Sequence, residues 1–256
     1  MLVHSRLDNV LSVATSDACQ QQVDADIDLL GRVAAGEPGA VLRVWKNGRC
    51  LVVGKSLTKN PNFDHASRVM QQAQWPVVRR ASGGTIVPHH EGILNISLIL
   101  NLGSTVKGPR QVFQEFCDTI CSGLLGVGIQ ATTGAVPGSF CDGAFNLVCQ
   151  GRKIAGTAQR RIVSRANGAN CLLVHGSLFL SDATMSVGIA NRFYRLLGYE
   201  NPFRDEVHTS CADVVANRSQ RTHKMLEGSV IRHLVQAFQE RDDWGSQGVI
   251  RTLIET

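Results

Sequence analysis

The 256-residue sequence predicts an α+β fold: a mixed, largely antiparallel sheet packed by helices. Three observations lead there. Strand-like runs arrive clustered between helices instead of in strict β-helix-β alternation. The separating segments carry apolar residues at helical spacing. Hydrophobic residues make up 43% of the chain, enough for a sizeable core. No repeat, low-complexity tract or composition break marks a linker. Residues 1–256 are therefore expected to form one domain, its motifs within about 10–200 and a helical part over about 201–256.

Ser16–Ala35 reads as a helix, capped by Ser16 or Asp17 and stopped by Gly36-Glu37-Pro38-Gly39. Val41–Trp45 and Cys50–Val53 read as strands around an Asn47-Gly48 hairpin turn. Asp64–Gln74 is a short helix ended by Trp75-Pro76, and Val77–Arg80 resumes as strand. Ile93–Leu100 alternates, with Leu94, Ile96, Leu98 and Leu100 on one face. Pro109–Leu125 sets Val112, Phe113, Phe116, Cys117, Ile120 and Leu124 at helical spacing, so Cys117 and Cys121 read as packing residues. Strands follow near Phe145–Cys149, Ile154–Ile162 and Cys171–Leu180, then helices over Ala183–Leu197 and Lys224–Gln239. No functional signal is legible after about Gly198.

Composition narrows the classes of function. No run approaches the roughly 18 apolar residues that span a bilayer. No basic start is followed by an apolar stretch, since Asp8, Asp17, Asp24 and Asp26 interrupt it, which predicts a cytoplasmic protein with its eight cysteines reduced. None of them forms C-x-x-C, and zinc-ligand spacing is missing, so no metal site is expected. The net charge of +5 is densest at Arg79–Arg80, Arg152–Lys153 and Arg160–Arg161 with Arg165. Aromatic residues are only 5% and do not interleave with those basic residues, which argues against nucleic acid. Phosphate or an acidic partner protein fits such charge.

Two segments carry chemistry. In Gly138–Arg161, Cys141 sits in a polar Gly-Ser-Phe-Cys-Asp-Gly setting, followed by Lys153 between Gly151 and Gly156. A nearby cation favours thiolate over thiol, which makes Cys141 a candidate nucleophile; the alternative is a small buried hydrophobe. Lys153 is either that cation, a grip on an anionic ligand, or a solvated turn lysine. Cys149 falls in phase with Phe145 and Leu147 and reads as core. In Arg79–Leu100, Ser82-Gly83-Gly84 forms a turn whose amides can approach a ligand, or an ordinary hairpin turn. Val53-Gly54-Lys55-Ser56 fails as a phosphate loop, because Arg49 stands where a glycine is needed. His175 precedes Gly176 at an expected strand bulge and, like His89 and His90, reads as either structural or ligand-facing.

Taken together, Arg79–Gly84, Gly151–Gln159 and His175–Ser177 resemble, in order and spacing, the motifs of the biotin/lipoate protein ligase superfamily on its lipoate side. The resemblance covers most of residues 1–200 and implies a single α+β catalytic domain. It implies a slot for an octanoyl or lipoyl chain, lined by Arg79, Arg80, Ser82, Gly83, Gly84, His89, Gly156, Ala158, His175 and Gly176. The implied activity joins a C8 acid to one lysine of a lipoyl-carrier domain. Gly138–Leu147 is similar to the branch that moves octanoyl groups from the glycine-cleavage H protein to the acyltransferase subunits of 2-oxoacid dehydrogenases. There Cys141 matches the thioester-forming cysteine and Lys153 its catalytic partner, with no cofactor required. Amides near Gly83–Gly84 or Lys153 would steady the oxyanion. The alternative is an ATP- and magnesium-dependent lipoate ligase acting through an acyl-adenylate. A non-catalytic carrier-binding relative is a third reading, and no Gly-Arg-Gly-Arg-type loop supports a biotin ligase. Three departures stand out: His90 where ligases carry aspartate, Thr85 for a third glycine, and Asn146 for a frequent aspartate.

Overall fold

A computed structural model describes residues 15–103, 107–164, 167–200, 202–216, 223–241, 244 and 250–256. Residues 1–14, which include Asp8 of the leader reading, lie outside the described residues, as does Arg165. The chain opens on α1 (Ser16–Ala34), whose cap is Thr15, one position before the expected residues: its Oγ1 accepts from Ala18 N at 3.2 Å. β1 (Ala40–Trp45) and β2 (Cys50–Val53) follow, then α2 (Phe63–Gln72), β3 (Val77–Arg79), β4 (Ile86–His89) and β5 (Ile93–Asn101). α3 (Pro109–Leu125), β6 (Thr132–Gly134), β7 (Asn146–Cys149), β8 (Arg152–Val163) and β9 (Asn170–Phe179) come next. The chain continues through α4 (Ala183–Leu196), α5 (Cys211–Ala216), α6 (His223–Gln239) and β10 (Ile250–Glu255).

Seven strands form one sheet in the order β10-β1-β5-β9-β8-β7-β6, and three form another in the order β3-β2-β4. The β1–β10 and β2–β3 pairs are parallel and the others antiparallel, so the sheets are mixed as expected. Strand alternation sorts the core into layers. Ala40, Leu42 and Val44 of β1, with Leu94, Ile96, Leu98 and Leu100 of β5, pack against α3 and α6. Val41, Ile99, Cys171 and Leu173 turn to the opposite face, under α1. The smaller sheet is covered by α2 and α4 through Phe63, Met70, Val187 and Phe193.

Four expectations are corrected. β1 and β2 are not a hairpin, since they lie in different sheets; Asn47 is buried between them and donates to Cys19 O at 3.2 Å. β9 pairs regularly with β5 and β8 through His175, and the register shift lies instead between Leu147 and Val148. The C-terminal stretch holds α5 and α6 but ends in a strand, β10. Within it, residues 203–209 contact the candidate site described below. Among the described residues, no helix is long and apolar enough to cross a membrane.

A buried polar network ties β10 to the sheet. Arg43, 1% exposed, donates to Asp26 Oδ1 at 3.0 Å and to Glu255 Oε2 at 2.7 Å, with its guanidinium 4.3 Å from the Trp45 ring centroid. Ser97 Oγ donates to Asp26 Oδ2 at 2.7 Å and accepts from Trp45 Nε1 at 3.1 Å. Removing one partner of a buried pair strands the other charge, whereas a half-exposed pair contributes little. Arg43→Met is therefore expected to lower unfolding free energy by about 3–5 kcal/mol in urea titration, and Glu255→Gln by less than about 1 kcal/mol.

Candidate active site

The loop between β3 and β4 is shaped by contacts that exclude side chains. Gly54 N donates to Thr85 O at 2.7 Å, and a Cβ on Gly54 would lie 2.0 Å from Gly84 O. Gly84 has φ +95°, and a Cβ there would lie 2.3 Å from Arg80 Nη2 and 3.4 Å from Cys141 Sγ. Glycine meets both demands at no steric cost. Arg160 Nη1 ties the loop to β8 by donating to Ala81 O at 2.6 Å. The turn leaves the amides of Thr85 and Ile86 facing the loop that joins β6 to β7.

Cys141 sits on that second loop in a left-handed conformation, φ +48°. This conformation is costly for a side chain with a Cβ and marks a position held by its surroundings. Its sulfur accepts from Thr85 N–H at 3.0 Å and from Ile86 N–H at 3.1 Å, with Thr85 Oγ1 also at 3.0 Å. Arg80 Nη2 lies 3.7 Å away, and Ile86 O, at 3.0 Å, takes the S–H when the thiol is protonated. Burial alone pushes this thiol up, but Arg80, Lys153 and the two Thr85 contacts together hold it below its ordinary value of 9.0. Burial instead raises Cys117 and Cys121, to about 12 and 11, and pushes the wholly buried Cys211 upward as well.

Lys153 lies near the start of β8, after a tight turn at Gln150 and Gly151, both with positive φ. It is wholly buried, not a solvated turn residue. Its ammonium donates to Phe140 O and, at 3.3 Å, to Cys141 O, and lies 5.1 Å from the Phe140 ring centroid. Burial lowers it to about 8, against the opposing pull of Cys141 and Asp142. A Cβ on Gly156 would sit 3.3 Å from Lys153 Cε and Nζ, so the glycine makes room for the lysine.

Three cavities meet here. An open cleft of about 500 Å³ reaches Cys141 past Gly83, Gly84, Gly143, Tyr194 and Phe203. Behind it a narrow slot with a free volume of about 10 Å³ is lined by Cys141, Lys153, Gly156, Ala158, His175 and Phe179. Arg80, His175 and Ser177 also line a further cavity of mixed character with Trp45, Ser82, His89 and Asn95. His175 Nε2 lies 2.7 Å from Ser82 Oγ, and burial lowers both His175 and His89 to about 3, so both are neutral near pH 7.

Most of the residues singled out from the sequence thus converge. Gly176 sits behind them, opposite Thr157, and its absent side chain lets β9 approach β8. Arg79 does not join them: its guanidinium lies 5.6 Å from the Phe63 ring centroid, its backbone is tied to Gln20, and it lines none of the three cavities. The amides that reach the sulfur belong to Thr85 and Ile86, not Gly83 or Gly84. The Ser-Gly-Gly turn was the available signal, since such a turn directs the next two N–H groups inward. The departures also acquire local roles. Thr85 adds a hydroxyl beside the sulfur, and Asn146 donates to Asp142 Oδ1 at 2.9 Å, which an aspartate could not do when ionised. His90, buried, accepts from Gly92 N and contacts Ser186 Oγ at 2.8 Å.

The chain has recognisable relatives. The lipoyl protein ligase A/B catalytic domain matches residues 19–239. The octanoyl-[GcvH]:protein N-octanoyltransferase of Kyrpidia tusciae is 31% identical over 250 residues, covering 91% of this chain and 86% of that protein. The protein of the same name from Geobacillus kaustophilus is 32% identical over 177 residues, covering 69% of this chain and 61% of its own length. Among solved structures, lipoate-protein ligase A bound with ATP superposes with a TM-score of 0.62 at 16% identity, covering 91% of this chain and 84% of that one. A bipartite lipoate protein ligase from Thermoplasma acidophilum, studied with its E2 lipoyl domain, gives a TM-score of 0.58 at 14% identity over 91% and 82%. Those last two likenesses concern the fold alone. On the extent of the domain match and the identity to the Kyrpidia protein, this chain belongs to the lipoyl protein ligase A/B catalytic domain family.

Proposed function

We propose that this protein is an acyltransferase of protein lipoylation, moving an octanoyl group between lysines of lipoyl-carrier domains through a thioester on Cys141. The observation that carries the reading is the sulfur itself, facing two backbone amides and a guanidinium next to a buried ammonium. The names of the Kyrpidia and Geobacillus relatives support GcvH as one carrier, and the Thermoplasma ligase, paired with an E2 lipoyl domain, supports such domains as acceptors.

In the first half-reaction the thiolate attacks the carbonyl of the donor amide, forming the S–C bond. The C–N bond then breaks, and the Lys153 ammonium gives its proton to the leaving amine. In the second half the acceptor amine attacks the thioester, Lys153 takes the proton back, and the thiolate leaves. One lysine amide replaces another, so the exchange is nearly isoenergetic and needs no nucleotide. The amides of Thr85 and Ile86 are the donors in reach of charge developing at the carbonyl; losing one such donor costs on the order of 3 kcal/mol. Each chain methylene buried in the slot contributes about 0.8 kcal/mol. Arg160 and Arg161, partly or fully exposed on β8, favour acidic carriers, which raises the encounter rate. A reducing, cytoplasmic setting suits a catalytic thiol.

The second reading, an ATP-dependent ligase, has the likeness to the ATP-bound ligase in its favour. Attachment of free lipoate by Cys141→Ala in the presence of ATP would establish it. On the transferase reading, incubation with octanoylated H protein without ATP leaves an octanoyl adduct on the intact enzyme. Cys141→Ser gives no adduct and no transfer; normal transfer by that variant would remove the thioester. The reading also fixes a titration. Iodoacetamide alkylation of Cys141 should be half-maximal below pH 9.0 and move upward in Arg80→Gln, which removes a stabilising charge from the thiolate. Because the ammonium form of Lys153 is the working one, transfer should decline above about pH 8. Lys153→Met should lose about 10²–10⁴-fold in kcat together with that alkaline limb.

A further inference from the structure

Residues 203–209, where the sequence shows no motif, lie across the back of the Cys141 loop. Arg204 N donates to Gly138 O at 2.9 Å, and Arg204 Nη2 donates to Pro137 O at 2.8 Å. A Cβ on Gly138 would lie 2.4 Å from Arg204 Nε, so the loop glycine is fitted to this segment. Asn191 of α4 anchors Phe203 through both its amide donor and its amide acceptor. At the other end, Thr209 N donates to Lys153 O at 2.9 Å, and Lys153 and His208 form a parallel bridge. The segment therefore joins two pieces of chain far apart in sequence, the loop bearing Cys141 and the strand bearing Lys153.

His208 sits at the centre of that strap. Its ring stacks on Phe140 with centroids 4.9 Å apart and planes at 20°, and it is 4% exposed. Nδ1 lies 2.8 Å from Arg204 O and so carries the proton; Nε2 is buried with no hydrogen-bond partner. An orphaned nitrogen of this kind costs about 1–3 kcal/mol. A wholly apolar ring would avoid that cost among Phe140, Phe179 and Phe203, but could not donate to Arg204 O. The imidazole combines the two contacts: it locks onto the strap through Nδ1 and presses its face on the residue whose carbonyl anchors Lys153.

We propose that His208 is a positioning residue: stacked on Phe140, it fixes the carbonyls of Phe140 and Cys141 that hold the Lys153 ammonium beside the sulfur. It touches neither acyl group nor sulfur and acts through Phe140 and Lys153. The proposal rests on the Cys141–Lys153 reading above. The charged and titratable groups around these residues are Arg80 from the loop after β3, Asp142 beside Cys141, Tyr194 from α4, and Arg204 and Glu206 on the strap.

The test is the pH dependence of Cys141 alkylation by iodoacetamide in the full chain, read by intact mass beside the melting temperature. His208→Ala is expected to raise the alkylation midpoint by about one pH unit, a tenfold loss of thiolate below it. His208→Phe, which keeps a ring on Phe140, is expected to recover most of that shift. Phe140→Leu removes the stack from the other side and keeps the test open should His208→Ala fold poorly. It should shift the midpoint in the same direction, and the double variant should add little. An unchanged midpoint in His208→Ala or Phe140→Leu, even with a lower melting temperature, would reduce His208 to packing and overturn the proposal. So would a folded His208→Phe as shifted as His208→Ala. Alkylation needs no acyl donor, so transfer by Cys141→Ser would sink the functional reading while leaving this measurement intact.

Discussion

A wholly buried ammonium is the constraint around which this site is arranged. Removing an unpaired cation from water costs several kcal/mol, and Lys153 offsets that with the carbonyls of Phe140 and Cys141. Successive carbonyls converge on one cation only where the chain turns sharply, and the left-handed Cys141 supplies such a turn. The lysine thus holds the loop, and the loop in turn presents the sulfur to Thr85 and Ile86. Gly156, which leaves space for the lysine stem, and Gly84, which leaves space for Arg80 and the sulfur, belong to the same constraint.

Both sheets are needed to close it. The large sheet carries Lys153, Gly156 and His175 on adjacent strands, so the floor of the slot is as rigid as its ladder. The small sheet carries the amides, because Thr85 and Ile86 lead into β4 and are braced by Gly54 after β2. Neither sheet holds the sulfur. It hangs on the loop between β6 and β7, held on one side by the small sheet and on the other by the 203–209 strap. A loop anchored at both flanks can combine exposure to the open cleft with fixed hydrogen bonds.

What could be read from the chain follows from the range of the forces involved. Helices and most strands were legible because their patterns are local: Pro109–Leu125 matches α3 residue for residue, and the face chosen for Ile93–Leu100 is the one packed on α3 and α6. Cys141 and Lys153 stood out because a polar, glycine-flanked setting is unusual for either side chain. The pairing of distant segments was not legible. Asn47-Gly48 has the composition of a hairpin turn, yet tertiary packing sends its two strands to different sheets. β10 pairs with β1 across more than two hundred residues, through Arg43 and Glu255. His208 carries no motif because its role depends on stacking and on one backbone contact, neither of which leaves a sequence period. Arg79 parts from its neighbour for a related reason: it ends β3 with its guanidinium against the Phe63 ring, whereas Arg80 follows in the loop and reaches the sulfur.

The proton inventory of the pair explains why burial suits amide exchange. An exposed lysine and an exposed thiol both stay protonated at neutral pH, leaving only a small fraction of thiolate. Here burial brings the ammonium down to about 8 while Arg80, Lys153 and Thr85 hold the thiol below 9.0. A reaction that must first protonate a leaving amine and then deprotonate an incoming one is served by an ammonium lowered into the range where it can both give and take a proton. A strongly acidic or strongly basic partner would help one half-reaction at the expense of the other. Arg80 fits the same logic: as a cation that does not titrate, it stabilises the thiolate without competing for the shuttled proton.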